Sequence, residues 1–253
     1  MCVTIFVKPF NFISKMKKLL FVVILAAMCC GMTSCESKPQ GTPLEGNENL
    51  LVFEKNGLFS IKQADGTPIL LGNFYETIQW DNNMEIIIAK NGDQTTLAWP
   101  DGHTILTDKI VKIESAGEDF YRISLADNHV CLLAGPSARQ NYKITGDGLW
   151  GKMQEISIES GFVFMKGDAG WGVAKISPRE GLAPTSYKSV YILKMPKADA
   201  ILIKDTKGGY ALYDAKGTVG MEYKLPPKKF QQLLKKAKLP DKPYGVVEVD
   251  FKL

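Results

Sequence analysis

Residues 204–220 read KDTKGGYALYDAKGTVG, with glycine turns at Gly208-Gly209 and at Gly217 and the apolar run YALY between them. Glycine accepts the positive φ that tight hairpins require, so one such stretch predicts a β-hairpin. The pattern stands again at 54–70 (EKNGLFSIKQADGTPIL), 89–106 (AKNGDQTTLAWPDGHTIL) and 166–184 (KGDAGWGVAKISPREGLAP). Recurrence at a near-constant interval predicts a repeat fold.

Five units align around these turns. Each opens with an apolar strand, at 50–54, 85–89, 121–125, 162–165 and 200–204, and a turn follows at or near Gly57, Gly92, Asn128, Gly170 and Gly209. A second strand leads to a second turn, carried by Gly66, Gly102, Ser137, Gly181 and Gly217. A third strand follows, as at 69–71 or 105–106, and a fourth apolar run comes at 77–80, 110–113, 155–158 and 189–193. The step from Gly66 to Gly102 and that from Gly181 to Gly217 are both 36 residues. The expectation is an all-β chain of tandem four-stranded antiparallel repeats, closed as a five-bladed β-propeller-like ring, with an open stack of hairpins as the alternative. The last unit departs into a helix and regains a strand at 246–251 (VVEVDF), which is expected to join strand 50–54 and complete a blade.

The unit around Trp171 resembles a WG repeat: Trp171-Gly172 after a turn, an apolar strand, Gly181, then Pro184 and Tyr187. Leu58-Phe59, Gly66, Pro68 and Tyr75 follow the same pattern, and Tyr210 takes the tryptophan position in the fifth unit. Trp150-Gly151 is a WG pair out of register. The resemblance implies an exported β-repeat architecture and supports a binding role. It carries over no catalytic residue.

The N-terminus has the order of a secretory leader. Lys15, Lys17 and Lys18 precede the apolar run 19–28, and small residues lead to Met32-Thr33-Ser34-Cys35. The apolar run is shorter than the ~20 residues of a membrane span. MTSC resembles a bacterial lipobox, which implies lipidation at Cys35 and anchoring in the cell envelope, expected at a Gram-negative outer membrane. Cys29 and Cys30 are rival sites preceded by poorer residues, and a conventional cut nearby is the alternative. Met16 opens a more typical leader, MKKLLFVVILAAM, and is the expected start. The organisation expected is a leader at 1–34, a flexible tether at 35–48 and a single β-repeat domain at 49–253.

Processing removes the excess of positive charge. Four of the 31 basic residues lie in the leader, leaving 27 against 27 acids, so the mature chain offers no general attraction for nucleic acid. Only Cys131 remains besides Cys35, which excludes an internal disulfide framework and reads as a small buried hydrophobe.

Chemistry-bearing patterns are sparse. His103 and His129 are the only histidines, and neither H-x-x-H nor C-x-x-C occurs, so no metal or cofactor is expected. Asp65, Asp101, Asp127, Asp168 and Asp214 fit turn chemistry better than paired catalytic carboxylates. Trp80, Trp99 and Trp171 fall at core positions. Trp150, in the irregular stretch ITGDGLWGKM, is the candidate exposed aromatic for a glycan. At 228–238 (KKFQQLLKKAK) the residues Phe230, Leu233, Leu234 and Ala237 form one helical face. Lys228, Lys229, Lys235 and Lys236 form the other, a candidate contact for a membrane or an acidic partner, while the apolar face is expected to cap the β core. The function expected is a non-catalytic scaffold for another macromolecule, a protein first, with a carbohydrate or cell-wall ligand as the alternative and a glycan-active enzyme behind it.

Overall fold

A computed structural model describes residues 41–69, 74–177, 179–216 and 220–253. The leader, Met16, Cys35, the first six residues of the tether and Gly217 lie outside the described residues.

Five four-stranded sheets follow one another along the chain. Sheet one holds β1 (Thr42–Leu44), β2 (Asn47–Lys55), β3 (Leu58–Gln63) and β4 (Pro68–Ile69), and sheet two holds β5 (Thr77–Asp81), β6 (Ile86–Asn91), β7 (Gln94–Ala98) and β8 (Thr104–Asp108). Sheet three holds β9 (Ile110–Gly117), β10 (Phe120–Leu125), β11 (Val130–Ala134) and β12 (Leu149–Met153), with helix α1 (Pro136–Asn141) between its last two strands. Sheet four holds β13 (Glu155–Glu159), β14 (Phe162–Gly167), β15 (Gly170–Lys175) and β16 (Glu180–Tyr187). Sheet five holds β17 (Ser189–Lys194), β18 (Ala200–Lys204) and β19 (Tyr210–Asp214), followed by helix α2 (Pro227–Ala237) and β20 (Tyr244–Glu248). The first four sheets are antiparallel meanders, so the fold is the expected propeller-like succession of β units with one C-terminal amphipathic helix.

Turn chemistry sets the hairpins. Asn56-Gly57 joins β2 to β3 with φ of 56° and 77°, and Ser160-Gly161 joins β13 to β14 with φ of 50° and 81°. Both central residues are left-handed, the geometry whose twist matches paired strands.

Packing explains the sequence pattern. Each inner sheet is covered on both faces, and its central strands are therefore unbroken apolar runs rather than alternating ones. All five residues of β11 are buried, as are Ile86, Ile87 and Ala89 of β6. Leu50 and Ile61 of sheet one pack on Ile87 and Ala89 of sheet two. Leu97 of sheet two meets Ile123 and Leu133 of sheet three. Phe120 and Leu132 meet Val163 and Ile176, and Phe164 and Val173 meet Val190 and Ile201. Leu193, Leu202 and Leu212 of sheet five are covered by Leu233 and Ala237 of α2 and by Phe251. None of these five clusters joins sheet one to sheet five.

Four expectations need correction. The fourth apolar run of each unit is the first strand of the next sheet, as Thr77–Asp81 and Ile110–Gly117 show. Sheet one instead receives β1, which falls inside the expected tether and pairs with Leu51 and Val52. The closing strand lies at Tyr244–Glu248 and runs parallel to β17, so it does not complete a blade with 50–54, whose partners are β1 and β3. The turn expected at 135–137 opens α1, with Pro136 in its first turn, where a missing N–H costs nothing.

Candidate interaction surfaces

The first strands β5, β9 and β13 each pair with a single strand in their sheets, whereas the corresponding edge of sheet five is taken by β20. An edge strand presents unpaired backbone groups to any extended partner. β9 is the longest of the three, at eight residues, and Val111 on it is 70% exposed. Lys112 and Glu114 form an ion pair beside it. On β13, Glu159 is already engaged: its carboxylate accepts the Val246 N–H at 3.0 Å and the Lys242 ammonium at 2.6 Å, tying β20 down.

The acidic side chains serve the turns. Asp65, Asp101 and Asp127 each accept the backbone N–H two residues on, at 2.8, 2.9 and 3.1 Å. These Asx turns set the strand reversals. Asp168 accepts from Gln154 at 3.0 Å. One wider network crosses from sheet two to sheet three: the Lys152 ammonium sits 2.5 Å from Asp108 and 3.7 Å from Asp127. The hydrogen bond from Lys152 holds the Asp108 carboxyl below its ordinary range. Burial pushes the neighbouring Cys131 thiol up to about 11, which makes it a poor nucleophile. Among the described residues no three His, Cys, Asp or Glu side chains are grouped to hold a metal ion.

Trp150 is not an exposed loop aromatic. It lies in β12 opposite Leu132 and is 3% exposed. Phe120 meets its ring edge-on at 5.8 Å, and the Arg179 guanidinium covers it at 4.7 Å. The glycan reading thus loses the residue on which it leaned.

The repeat-motif residues divide into two kinds. Gly57, Gly66, Gly92 and Gly102 have φ between 57° and 91°, the left-handed region in which a side chain is strained. Gly172 instead allows a close approach, since a Cβ there would stand 2.6 Å from the Ala183 carbonyl oxygen. Trp171 beside it is 5% exposed and stacks on Tyr244 at 4.5 Å. The Gly209 N–H closes a turn on the Asp205 carboxylate at 2.8 Å, and Gly181 opens β16 on a side with room for a Cβ.

On α2 the apolar face is buried, with Leu233 and Ala237 fully covered. Lys228 and Lys235 are exposed, Lys236 donates to the Asp250 carbonyl at 2.9 Å, and the Lys229 ammonium lies 5.8 Å from the Phe251 ring. Three features carry no sequence motif: the exposed β9 edge, the capping of α1 by Asp119, which accepts the Ser137 and Ala138 N–H groups, and the parallel latch of β20.

Neither a family model nor a curated protein sequence matches the chain. Solved structures resemble it weakly. BamB from Moraxella catarrhalis is 12% identical, with 71% of this chain and 58% of that one covered and a TM-score of 0.24. Kluyveromyces lactis Hsv2p is 10% identical, with 70% and 60% covered and a TM-score of 0.25. The WD40 β-propeller domain of Doa1 is 12% identical, with 71% and 66% covered and a TM-score of 0.22. The chain spans less than two thirds of the length of the first two.

Proposed function

We propose that the protein is a non-catalytic, lipid-anchored envelope scaffold, tethered through Cys35 at the outer membrane of a Gram-negative bacterium, that binds a protein partner along its exposed strand edges. The observation that carries this reading is the free edge of β9, an eight-residue strand with Val111 exposed at 70%. Strand addition uses backbone hydrogen bonds for affinity and alternate side chains for selectivity, and it needs no catalytic group. The leader and MTSC supply the address.

The test is in-cell photocrosslinking with a photoreactive residue at position 111, beside the same residue at the exposed position 55 of sheet one, with Cys35→Ser as the mislocalised control. A stoichiometric protein adduct specific to position 111 and lost with Cys35→Ser supports the reading. Equal background at both positions overturns the edge as the binding surface, and an adduct that survives Cys35→Ser overturns the anchor.

A further inference from the structure

Charge is segregated along this chain. Residues 41–222 hold 18 basic and 23 acidic side chains, whereas residues 223–253 hold eight lysines against three acids. The mature protein is therefore neutral in sum, but its last 31 residues carry five net positive charges and the rest of the described domain five negative ones. Among the described residues, Lys242 is the one of those eight lysines that forms an ion pair, with Glu159. In the body, six of the 18 cations are paired with a carboxylate: Lys109, Lys112, Lys152, Lys166, Lys194 and Arg179.

The helix that carries the lysines is oriented by its other face. Leu233 and Ala237 are locked into the core of sheet five. Lys228 and Lys235, seven residues or about two turns apart, lie on one line along the opposite side, with Lys229 and Lys236 on its flank. Folding alone does not favour this arrangement. Two lysines stand in the first turn of α2, where the helix dipole disfavours cations, and no acid accompanies them. Natural proteins break such local rules chiefly at functional or strained sites. Exposed apolar side chains lie near in sequence to residues packed with α2: Met221, 71% exposed, is two residues from Tyr223, and Leu253, 38% exposed, is two from Phe251.

We infer that α2 and the C-terminal tail form an electrostatic docking surface for an anionic phospholipid bilayer. Lysines on flexible stems suit a diffuse field of lipid phosphates better than one fixed carboxylate, and the exposed Met221 and Leu253 suit the interfacial zone. Each lysine near an anionic leaflet strengthens attachment roughly fivefold, so four act together by several hundredfold. The apolar face of α2 stays with the protein, so the helix rests on the surface and does not insert. The inference depends on the envelope reading only for where such a bilayer is met.

The test uses the full chain with vesicles of pure phosphatidylcholine or of equimolar phosphatidylcholine and phosphatidylglycerol, and follows amine acylation at Lys228, Lys229, Lys235 and Lys236 by mass spectrometry, with Lys55 and Lys90 as references. Several-fold slower labelling of the α2 lysines on the anionic vesicles, reversed by high salt, is the expected result. The variant Lys228→Glu/Lys229→Glu should lose that protection at Lys235 and Lys236 while its Tm holds or rises, because glutamate suits a helix N-terminus. Should it unfold, Lys228→Gln/Lys229→Gln takes its place. Equal labelling on both vesicles overturns the inference. Polyglutamate that protects as well as the anionic vesicles also overturns it, in favour of an acidic protein. Neither result bears on the photocrosslink at position 111.

Discussion

Ser137 and Asp119, 18 residues apart in the chain, are joined by a 2.7 Å hydrogen bond from backbone N–H to carboxylate. The same oxygen accepts the Ala138 N–H at 3.2 Å, and the Tyr121 hydroxyl donates to the other at 3.0 Å. Gly135, at the N-cap of α1, has no side chain to cap the helix, so a carboxylate from the β9–β10 turn takes that place. Asp119→Ala should lower the unfolding free energy by about 1–2 kcal/mol, read from urea titrations. A Cβ on Gly135 would stand 2.6 Å from both Asp119 carboxylate oxygens, so Gly135→Ala displaces the same cap. The two losses should therefore overlap in the double variant, and full additivity would show that the sites act separately.

Two glycines of the repeat motif should respond in opposite ways. At Gly172 the obstruction is backbone, the Ala183 carbonyl and Pro184, which cannot swing aside. Gly172→Ala should cost about 1–3 kcal/mol. At Gly181 nothing lies within 4 Å of a Cβ and φ is not positive. Gly181→Ala should be neutral or stabilise by up to about 1 kcal/mol by restricting the unfolded chain. Thermal melts of both variants decide it, and equal losses would show that the motif glycines share one role.

Alkali should open sheet three first. Burial raises the Cys131 thiol to about 11, and burial with the Asp119 hydrogen bond raises Tyr121 to about 12. The hydrogen bond to Glu118, with burial, raises Tyr142 to about 12. Each group binds its proton more tightly when folded. Their contribution is therefore complete below the ordinary values of 9.0 and 10.0, and is lost as pH rises through the folded values. The urea midpoint should hold to about pH 9 and fall from there towards pH 12. Amide exchange should quicken in β10 and β11 before β14 and β18. At neutral pH the Cys131 peptide should resist iodoacetamide until denaturant is added, and native labelling at the rate of a free thiol would refute its burial.

Trp171 and Tyr244 seal sheets four and five. Their rings lie 4.5 Å apart, and Phe164 stands 5.3 Å from Tyr244 on its other contact. Trp171→Ala should cost about 3–5 kcal/mol, and Tyr244→Ala about 2–3 kcal/mol. A double-mutant cycle in guanidinium should return a coupling of about 0.5–1.5 kcal/mol, the range for an aromatic pair.

Strand positions were legible because Gly57, Gly92 and Gly102 mark hairpin turns that only a positive φ can make. The grouping of strands into sheets was not, because the passage between sheets carries no such mark. Lys109 alone separates β8 from β9, Gln154 alone separates β12 from β13, and Lys188 alone separates β16 from β17. A single extended residue redirects the chain to a new sheet, so apolar periodicity runs straight through the boundary. Trp150 was misplaced for a related reason. The six residues of α1 stretch the third unit, and β12 falls out of the 36-residue register that its neighbours keep. Among the candidate surfaces, the lysine face of α2 was readable from helical spacing. The β9 edge was not, because exposure of a strand edge depends on which neighbour the topology omits.

The parallel register of β20 on β17 also sets an order of events. Every other strand pair among the named strands joins neighbours in sequence, whereas this one joins Val190 to Tyr244 across the whole of β18, β19 and α2. As the chain emerges from its N-terminus, sheets one to four can close on local pairs, the fast kind. Sheet five cannot be finished until β20 arrives. A nascent or prematurely ended chain therefore holds β17 with an unfilled edge and Trp171 without its stacking partner, an apolar seam open to proteases. β20 thus acts as a seal on sheet five: a chain that lacks it leaves the edge of β17 and the face of Trp171 uncovered.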